Sequence, residues 1–374
     1  DAVRGSTNID ISDIVFDSRK ITPNCVFIAQ KGTISNGHDY IEKAIENGAT
    51  AIVYEDDPAV FSDDVTYVKV ADANEALAFI AANFYDNPSE KMSLVGVTGT
   101  NGKTTIATLL HQLFTKAGYK VGLLSTVKIL VGNDEFPATH TTPDSISINN
   151  YLNQMVQAGC SYCFMEVSSH GIAQKRTDAL AFKGGIFTNL SHDHLDYHKT
   201  FAEYRNVKKS FFDSLAKTSF AISNVDDKNG AFMLQNCDAK KTMYSIQNVA
   251  DVNGKIIESQ FNGMLLNINN QEVWVQLIGK FNASNLLAIY ATALELGLSK
   301  EEVLVHLSTL QSVSGRFQFI VSKTKITAIV DYAHTPDALE NVLKTIAEIR
   351  TFNEQLFTVV GCGGNRDKEK RPVM

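Results

Sequence analysis

Residues 94–105, LVGVTGTNGKTT, place an apolar run directly before a glycine-rich turn, and residues 106–118 continue in a helical pattern. An apolar strand, a turn with two glycines and a helix, in this order, are typical of a phosphate-binding loop. Gly99 and Gly102 allow the backbone to turn so that consecutive N–H groups point inward, and the helix adds its positive N-terminal end. The segment therefore predicts a nucleotide site.

The lysine and threonines that end this turn carry the predicted chemistry. We expect Lys103 to contact the terminal phosphates of a nucleotide and Thr104 to bind Mg²⁺. Five residues separate Gly96 from Gly102, where the usual phosphate-loop pattern has four, so the segment is a variant of that pattern. The alternative is an ordinary glycine-rich turn with an incidental lysine.

Composition and charge argue against a nucleic-acid surface and against membrane insertion. A chain of 374 residues with 44% hydrophobic residues predicts two or three domains with buried cores. The net charge of −7 offers no basic face for nucleic acid. No stretch approaches the roughly 18 apolar residues of a membrane span, and the start lacks a signal-peptide layout, so we expect a cytoplasmic protein.

The five cysteines are expected to be reduced thiols, because an odd number in a long chain does not suggest a disulfide framework. Cys160 and Cys163 form a C-x-x-C pattern, which can mark zinc or redox chemistry. No second such pair completes a zinc site, and Cys163 runs into an apolar segment. We predict that both are structural, buried thiols.

The alternation of strand and helix patterns predicts an α/β protein of three domains. Residues 1–88 form a small α/β domain, which ends in a polar, proline-containing segment. Residues 89–312 repeat strand and helix, which predicts a largely parallel sheet in a central P-loop ATPase-like domain. Residues 313–374 begin a Rossmann-like domain.

This third domain is expected to be truncated, because it shows one clear βαβ crossover, too little for a whole sheet. Its predicted elements are strands at 317–321, 326–330 and 356–360 and a helix at 338–349. Before it, an apolar helix is predicted at 286–296. Asn282 lies near the N-terminus of that helix, where it could cap the helix or contact adenine.

Polar residues follow two predicted buried strands of the central domain, where ligands of parallel sheets gather. Glu166 ends the apolar run 162–165, and residues 191–198, SHDHLDYH, follow another strand. A carboxylate beside a phosphate loop favours a hard cation such as Mg²⁺ over zinc, and His194 is the predicted imidazole ligand. The alternative for Glu166 is a helix cap or a salt bridge.

Seven ordered motifs extend along the chain. They are DSR at 17–19, GTNGKTT at 99–105, TTPD at 141–144, EVSSH at 166–170, TNLSHDHLDYH at 188–198, DYAHTPD at 331–337 and GCGGNRD at 361–367. Together they resemble the Mur ligase family, and within it the ligases that add the third peptide residue to UDP-N-acetylmuramoyl-L-alanyl-D-glutamate.

This resemblance implies an ATP-dependent amide ligase of bacterial peptidoglycan synthesis, and hence of cell wall formation, that works through an acyl phosphate. The implied partners are the UDP-muramoyl dipeptide, ATP and a diamino acid, either meso-diaminopimelate or L-lysine, and the implied state is a monomer. The alternatives are a neighbouring Mur ligase, folylpolyglutamate synthase or a non-ligase ATP-driven switch. The motif that selects the amino acid is expected beyond residue 374, so we expect the 374-residue chain alone to be inactive or nearly so.

The resemblance also assigns roles to individual residues, beginning with the catalytic and metal-binding set. Lys103 would hold ATP phosphates. Thr104 and Glu166 would bind one Mg²⁺, Glu166 and His194 would contact a second, and Lys208 would be a further magnesium ligand. Lys208 lies fourteen residues after His194, the spacing at which these ligases carry a lysine that CO₂ converts to a carbamate. The alternatives are a surface lysine at 208 or an assignment shifted by one residue to Lys209.

The resemblance implies three further binding sets. The domain 1–88 would bind the UDP-sugar. The residues for ATP are Gly99, Thr100, Asn101, Gly102, Lys103, Thr104, Thr105, Asn282, Arg316 and His334. The residues for the UDP-muramoyl peptide are Ser18, Thr33, Ile34, Ser35, Thr141, Thr142, Ser168, Gln174 and Arg176. Arg366 would face the incoming amino acid.

Overall fold

The structure, a computed structural model, describes residues 2–32, 35–191, 195–323, 326–350, 352–361 and 370–374. Contacts within the chain define two units. The first comprises Asp1–Lys91, Pro143–Val156 and His170–Ala181, and the second comprises Met92–Thr142, Gln157–Ser169 and Phe182–Met374. In the described residues, no helix is both long and apolar enough to cross a membrane.

The N-terminal part of the first unit is built on a small, mostly parallel sheet. Its elements are β1 (Ala2–Arg4), β2 (Asp13–Val15), β3 (Cys25–Ile28), α1 (Ile41–Glu46), β4 (Ala49–Tyr54), β5 (Thr66–Lys69) and α2 (Ala73–Phe84). The strand order is β1-β5-β4-β3-β2, and β1 alone of the described strands pairs antiparallel there. Asp72 caps α2 by accepting hydrogen bonds from the N–H groups of Asn74 and Glu75.

The remaining elements follow in chain order. They are β6 (Ser93–Thr98), α3 (Lys103–Lys116), β7 (Val121–Leu124), β8 (Lys128–Val131), β9 (Asp134–Pro137), α4 (Ser145–Gln157), β10 (Tyr162–Glu166), α5 (Ser169–Ala173), β11 (Phe182–Phe187), α6 (Leu195–His198), α7 (Phe201–Asp213), β12 (Phe220–Asn224), α8 (Gly230–Met233), β13 (Lys240–Ser245), β14 (Val252–Gln260), β15 (Gly263–Ile268), β16 (Gln271–Val275), α9 (Lys280–Glu295), α10 (Lys300–Ser308), β17 (Gln318–Val321), β18 (Thr327–Val330), α11 (Pro336–Ile349) and α12 (Lys370–Val373).

One large sheet organises the second unit, with the order β16-β15-β14-β13-β12-β11-β6-β10-β7-β8-β9 among the described strands. The strands from β14 through β7 pair parallel. Antiparallel strands extend both edges, with β15 and β16 on one side and β8 and β9 on the other. The predicted α/β class with a largely parallel central sheet is thereby confirmed.

The core of the second unit lies where α3 and α9 pack on the sheet. Its members include Val95 and Val97 of β6, Leu110 and Phe114 of α3, and Leu286 of α9, all fully or almost fully buried. Burial on both faces explains why β6 reads as a continuous apolar run. This packing holds the turn after β6 at the carboxyl edge of the sheet, between β10 and β11.

Three predictions on local structure are wrong. Helix α9 begins at Lys280 instead of 286, so Asn282 lies inside the helix and Gly279 is its N-cap. The early turns of α9 bury polar side chains, which the apolar pattern could not reveal. Residues 356–360 form no strand, and Phe357 and Val359 are 83% and 98% exposed, because no described strand pairs with them.

The third wrong prediction is the βαβ crossover made of the strand 326–330, the helix 338–349 and the strand 356–360. Because residues 356–360 form no strand, the described residues contain the first strand and the helix of that unit but not its second strand. Strand β18 instead pairs antiparallel with β17 in a hairpin. The division into domains at 88 and 312 remains a prediction, since the two units follow contacts and combine segments that are distant in the sequence.

Candidate functional site at the phosphate loop

The turn between β6 and α3 requires glycine at two positions. Gly99 has a φ of +146°, and a Cβ there would lie 1.9 Å from Thr188 Oγ1. Gly102 has a φ of +90°, and its Cβ would lie 2.7 Å from Asn285 Oδ1. Left-handed backbone and close neighbours together exclude larger residues. The loop is therefore held tightly against the residues that follow β11 and against α9.

The loop presents backbone donors at the start of α3. Gly102 is the N-cap of this helix and gives no side-chain cap, so first-turn N–H groups are not occupied by a capping oxygen. Lys103 Nζ donates to the carbonyl oxygens of Gly99 at 3.0 Å and Thr100 at 2.8 Å. An ammonium group and a helix N-terminus at one turn form a site suited to phosphate.

Glu166 ends β10, beside the phosphate loop, and is 1% exposed. Its Oε2 accepts a hydrogen bond from Thr104 Oγ1 at 3.0 Å, and its Oε1 accepts one from the N–H of Thr126 at 2.7 Å. None of the described residues forms an ion pair with this carboxylate. A buried carboxylate without a cation, next to a threonine hydroxyl, is an oxygen donor set that fits a hard divalent cation.

Lys208 lies at the base of the same loop. It is 1% exposed, and its Nζ donates to Gly99 O at 3.0 Å and to Thr98 Oγ1 at 3.3 Å. Its neighbour Lys209 instead pairs with Asp213 along α7, with Nζ to Oδ1 at 2.6 Å. Of the two lysines, Lys208 is the one the structure brings to the phosphate loop.

Arg316 reaches the loop from the segment before β17. Its Nη2 donates to Thr104 Oγ1 at 3.1 Å, and its guanidinium lies 4.5 Å from the ring centroid of Tyr332. Asp331 supports this segment, because its carboxylate accepts from the N–H groups of Phe317 at 2.6 Å and Ala333 at 2.7 Å. The guanidinium is thus positioned by a ring and by an anchored backbone.

These groups line a cleft of about 1970 Å³ in the second unit. The predicted ATP-binding residues on its wall are Thr100, Asn101, Gly102, Lys103, Thr104, Thr105, Asn282, Arg316 and His334, and Glu166 and Thr141 also line it. Asn282 is 4% exposed, and its Nδ2 donates to Ile278 O at 2.8 Å while its Oδ1 accepts from Asn285 Nδ2. His334 is exposed, with Nδ1 3.0 Å from Tyr332 O.

The residues predicted for the UDP-muramoyl peptide occur in both units. In the second unit, Thr142 Oγ1 donates to Glu166 O at 2.9 Å and accepts from the N–H of Ser168 at 2.9 Å. Thr126 Oγ1 donates to Thr141 Oγ1 at 3.1 Å. A chain of hydroxyl groups therefore leads away from the end of β10.

In the first unit, Arg176 donates to Gln174 Oε1 through Nε at 3.1 Å and Nη2 at 2.6 Å. Ser18 begins a short 3₁₀ turn, Ser18–Lys20, and Ser35 is exposed. Before that turn, hydrogen bonds from Arg19 lower the pKa of Asp17 to about 2. Four predicted site residues, Thr33, Ile34, His194 and Arg366, lie outside the described residues.

Several residues that shape the site were not predicted. Thr188 Oγ1 donates to Asn101 O at 2.6 Å, and Asn189 Oδ1 accepts from the N–H of Asn101 at 2.9 Å. The polar run TNLS after an apolar strand was a signal for them, since such runs follow strands at the ligand edge of a parallel sheet. Asp331 carried the same signal, since it directly follows the predicted strand 326–330, whereas Asn285 gave no comparable signal.

The C-x-x-C pattern is structural in this fold. Cys160 and Cys163 are free and buried, as are Cys25 and Cys237, the other cysteines of the described chain. Burial raises the pKa of the Cys163 thiol, which disfavours the reactive thiolate. In the described residues, no group of three or more His, Cys, Asp or Glu side chains could hold a metal ion.

Three models of one protein family match this chain. The family model described as Mur ligase middle domain matches residues 97–293, the Mur ligase glutamate ligase domain matches 315–374, and the catalytic domain of the Mur ligase family matches 10–85. The first of these alone spans more than half of the chain and includes the whole phosphate loop after Val97.

Two similar proteins carry the name UDP-N-acetylmuramoyl-L-alanyl-D-glutamate--2,6-diaminopimelate ligase. One, from Cytophaga hutchinsonii, is 55% identical over 100% of this chain and 77% of its own length. The other, from Phocaeicola vulgatus, is 56% identical over 99% of this chain and 76% of its own length. A solved structure of a ligase of the same name has a TM-score of 0.79 at 29% identity, over 97% of this chain and 75% of that one. The chain belongs to the Mur ligase family.

Proposed function

We propose that this protein uses ATP to join 2,6-diaminopimelate to UDP-N-acetylmuramoyl-L-alanyl-D-glutamate, with release of ADP and phosphate. The supporting observation is the contact between Thr104 and Glu166 at the phosphate loop, in a chain more than half identical to relatives named for this reaction. Those relatives favour diaminopimelate over L-lysine, between which the sequence motifs did not decide. Cytoplasmic synthesis of a peptidoglycan precursor is the corresponding biological role.

In the first chemical step, an oxygen of the side-chain carboxylate of the D-glutamyl residue attacks the γ-phosphorus of ATP. The bond between that phosphorus and the bridging oxygen breaks, ADP leaves, and an acyl phosphate forms. The amine of diaminopimelate then attacks the acyl carbon and loses a proton, and inorganic phosphate leaves. The main obstacle is repulsion between the carboxylate and the triphosphate, so positive groups must be concentrated at the site.

The phosphate loop supplies several of these positive groups. The backbone N–H groups of Lys103, Thr104 and Thr105, at the N-terminal end of α3, bind the phosphates, and the Lys103 ammonium exchanges its carbonyl partners for phosphate oxygens. Arg316 adds a second cation 3.1 Å from Thr104 Oγ1. Because these donors are held before the substrate arrives, little reorganisation opposes the reaction.

Mg²⁺ would be held by Thr104 and Glu166, with His194 and a carbamylated Lys208 as the further ligands. When bound, the ion would neutralise phosphate charge. The Lys208 ammonium would first lose a proton, and attack of the neutral amine on CO₂ with loss of a second proton would give a carbamate anion, whose oxygens are better ligands for a hard ion. The depth of Lys208 at the base of the loop supports this assignment over Lys209.

The remaining assignments follow from position. Asn282, Arg316 and His334 would contact ATP. Ser18, Thr33, Ile34, Ser35, Thr141, Thr142, Ser168, Gln174 and Arg176 would hold the UDP-muramoyl peptide, and Arg366 would face the diamino acid. We also propose that the domains 1–88, 89–312 and 313–374 divide these tasks between UDP-sugar binding, ATP binding and acceptor binding, in a monomer.

Phosphate release by the purified full-length protein tests this function. The reactions contain ATP, Mg²⁺ and the UDP-muramoyl dipeptide, with meso-diaminopimelate, L-lysine or no acceptor. We expect release that depends on diaminopimelate and a product heavier by that residue. Stimulation by lysine alone would contradict the acceptor assignment, and equal release without acceptor would favour an ATP-driven switch.

The metal-binding lysine is tested by a matched pair of variants. Lys208→Met should abolish ligation and remove the carbamate signal in ¹³C NMR spectra recorded with ¹³C-bicarbonate. Lys209→Met should retain both, because Lys209 pairs with Asp213 and not with the loop. Retention of the carbamate signal in Lys208→Met would overturn the assignment.

A further inference from the structure

Tyr204 is a buried tyrosine of α7 that contacts the phosphate loop. Its side chain is 0% exposed, and its hydroxyl lies 3.0 Å from Thr100 Oγ1. Thr100 lies inside the loop, and its N–H donates to Asn189 O at 2.8 Å. Helix α7 therefore contacts the phosphate loop through this phenol group.

Thr100 Oγ1 also contacts the backbone of Ser191. The oxygen accepts from the N–H of Ser191 at 3.0 Å, and its own hydroxyl lies 3.4 Å from Ser191 O. A threonine hydroxyl has one proton and two acceptor sites. Either Tyr204 or Thr100 can supply the proton of the 3.0 Å contact between their hydroxyl groups. Three segments thus meet at one hydroxyl: the phosphate loop, the residues after β11, and α7.

Lys208 follows Tyr204 by four residues, so the two side chains lie on the same face of α7. The Lys208 ammonium is 4.9 Å from the centroid of the Tyr204 ring and 3.0 Å from Gly99 O. Adjacent points on one helical face therefore contact consecutive residues of the loop, Gly99 and Thr100. A change at Tyr204 acts directly on the part of the loop that surrounds the phosphates.

We propose that Tyr204 is a positioning residue for ATP, which holds Thr100 and the turn around it in the phosphate-binding conformation. The inference rests on the proposed function and adds to it a residue with no contact to substrate. A phenol is suited to this role, because its rigid ring is fully buried while its hydroxyl lies 3.0 Å from Thr100 Oγ1 in the loop. Phenylalanine keeps the ring and removes only the hydroxyl group.

The test compares Tyr204→Phe with wild-type full-length protein by titration with Mg²⁺ and a non-hydrolysable ATP analogue, and by steady-state kinetics. We expect Kd for the analogue and KM for ATP to rise about five- to tenfold, the size of one lost net hydrogen bond. KM for the UDP-muramoyl dipeptide and for diaminopimelate should stay within twofold of wild type. A purely structural role would not produce this selectivity for one substrate.

Tyr290→Phe is the matched control. Tyr290 is likewise 0% exposed, on α9 of the same unit, and its hydroxyl has no hydrogen-bond partner among the described residues. This variant should bind the analogue like wild type. A Thr100→Val variant should weaken analogue binding, and adding Tyr204→Phe to it should produce little further loss, because both changes remove the same contact.

Wild-type activity separates the two levels of the proposal. If the wild-type protein does not ligate, the proposed function fails, although analogue binding still reports on Tyr204. If wild type ligates and Tyr204→Phe binds the analogue within twofold of wild type, the positioning role is wrong. The role is also wrong if all three KM values rise together.

Discussion

Replacement of Gly99 by alanine tests the geometry of the phosphate loop. The new methyl group would lie 1.9 Å from Thr188 Oγ1, 3.0 Å from Asn189 O and 3.1 Å from Asn189 N. Ordinary contact begins at 3.4 Å, so the loop and Thr188 must separate by about 1.5 Å. Thr188 cannot easily move, because it is 2% exposed and its hydroxyl donates to Asn101 O.

Two magnitudes follow from this displacement. Overpacking of a buried site costs about 1–3 kcal/mol of folding free energy. A displacement of about 1 Å in a positioning element costs about 100-fold in rate. We therefore expect Gly99→Ala to remain folded, with kcat/KM for ATP reduced about 100-fold and analogue binding weakened.

Gly118→Ala separates the steric effect from the backbone effect. Like Gly99, Gly118 has a positive φ, here +90°, but a Cβ there meets no atom within 4 Å. This variant should lose about 1–2 kcal/mol of stability, the cost of left-handed backbone for an L-residue, and keep its ligase activity. The assays are chemical denaturation and coupled ADP release. If Gly99→Ala keeps kcat/KM for ATP within threefold of wild type, the steric argument at Gly99 is refuted. It is also refuted if Gly118→Ala loses as much activity as Gly99→Ala does.

Three further predictions concern charge, pH and helix capping. Glu166→Gln keeps an acceptor for the Thr126 N–H but removes the negative charge. Ligation should fall at least about 100-fold with an unchanged Tm, because a bound metal stabilises the transition state by several kcal/mol. Activity near wild type would contradict the metal site. Burial, with a smaller effect of Lys128, lowers the pKa of His111 from 6.5 to about 4. The folded state therefore binds fewer protons than the unfolded state between these values, and stability should fall by up to about 3 kcal/mol as pH drops from 6.5 to 4. Denaturation of His111→Gln should show a shallower loss over that range, and an unchanged slope would reject the assignment. Thr335 caps α11, and its Oγ1 accepts a hydrogen bond from the Ala338 N–H at 3.3 Å. Thr335→Ala should therefore lower the free energy of unfolding, measured by thermal unfolding, by about 1 kcal/mol, and Thr335→Ser should lower it much less. Equal losses in the two variants would show that the cap does not contribute.

The phosphate loop was predictable because its signals are local. The signals are contiguous: the apolar run, the glycines at 99 and 102, and Lys103 with Thr104. In that order they are typical of a strand, a phosphate-binding turn and the start of a helix. The placement of Glu166 beside Thr104 required the further rule that parallel strands end at one edge. That rule was sufficient, because β10 is the direct neighbour of β6.

Features that depend on distant partners could not be predicted. Tyr204 has the sequence signature of an apolar face of α7, and only the folded chain shows its hydroxyl at Thr100. Asn282 was assigned to the start of a helix, whereas buried polar contacts with Ile278 and Asn285 place it inside α9. Hydrogen bonds with residues elsewhere in the folded chain determine where these side chains lie, and local secondary-structure propensity contains no information about those partners.

The predicted strand at 356–360 shows a second limit. Its β-branched and aromatic residues have strand propensity, but a strand is stable only when its backbone pairs with a neighbour. The described chain offers no such neighbour, and the side chains of Phe357 and Val359 are exposed. The hairpin of β8 and β9 was missed for the opposite reason, since its pairing to β7 stabilises short strands of mixed polarity.

The central claim is that the site activates a carboxylate with ATP. Its most direct test uses UDP-N-acetylmuramoyl-L-alanyl-D-glutamate labelled with ¹⁸O in the glutamyl side-chain carboxylate, together with ATP, Mg²⁺ and diaminopimelate. If an acyl phosphate forms, each phosphate released by the full-length protein carries one ¹⁸O atom from the carboxylate. Phosphate without the label would show that water and not the carboxylate attacks ATP, and would contradict the mechanism.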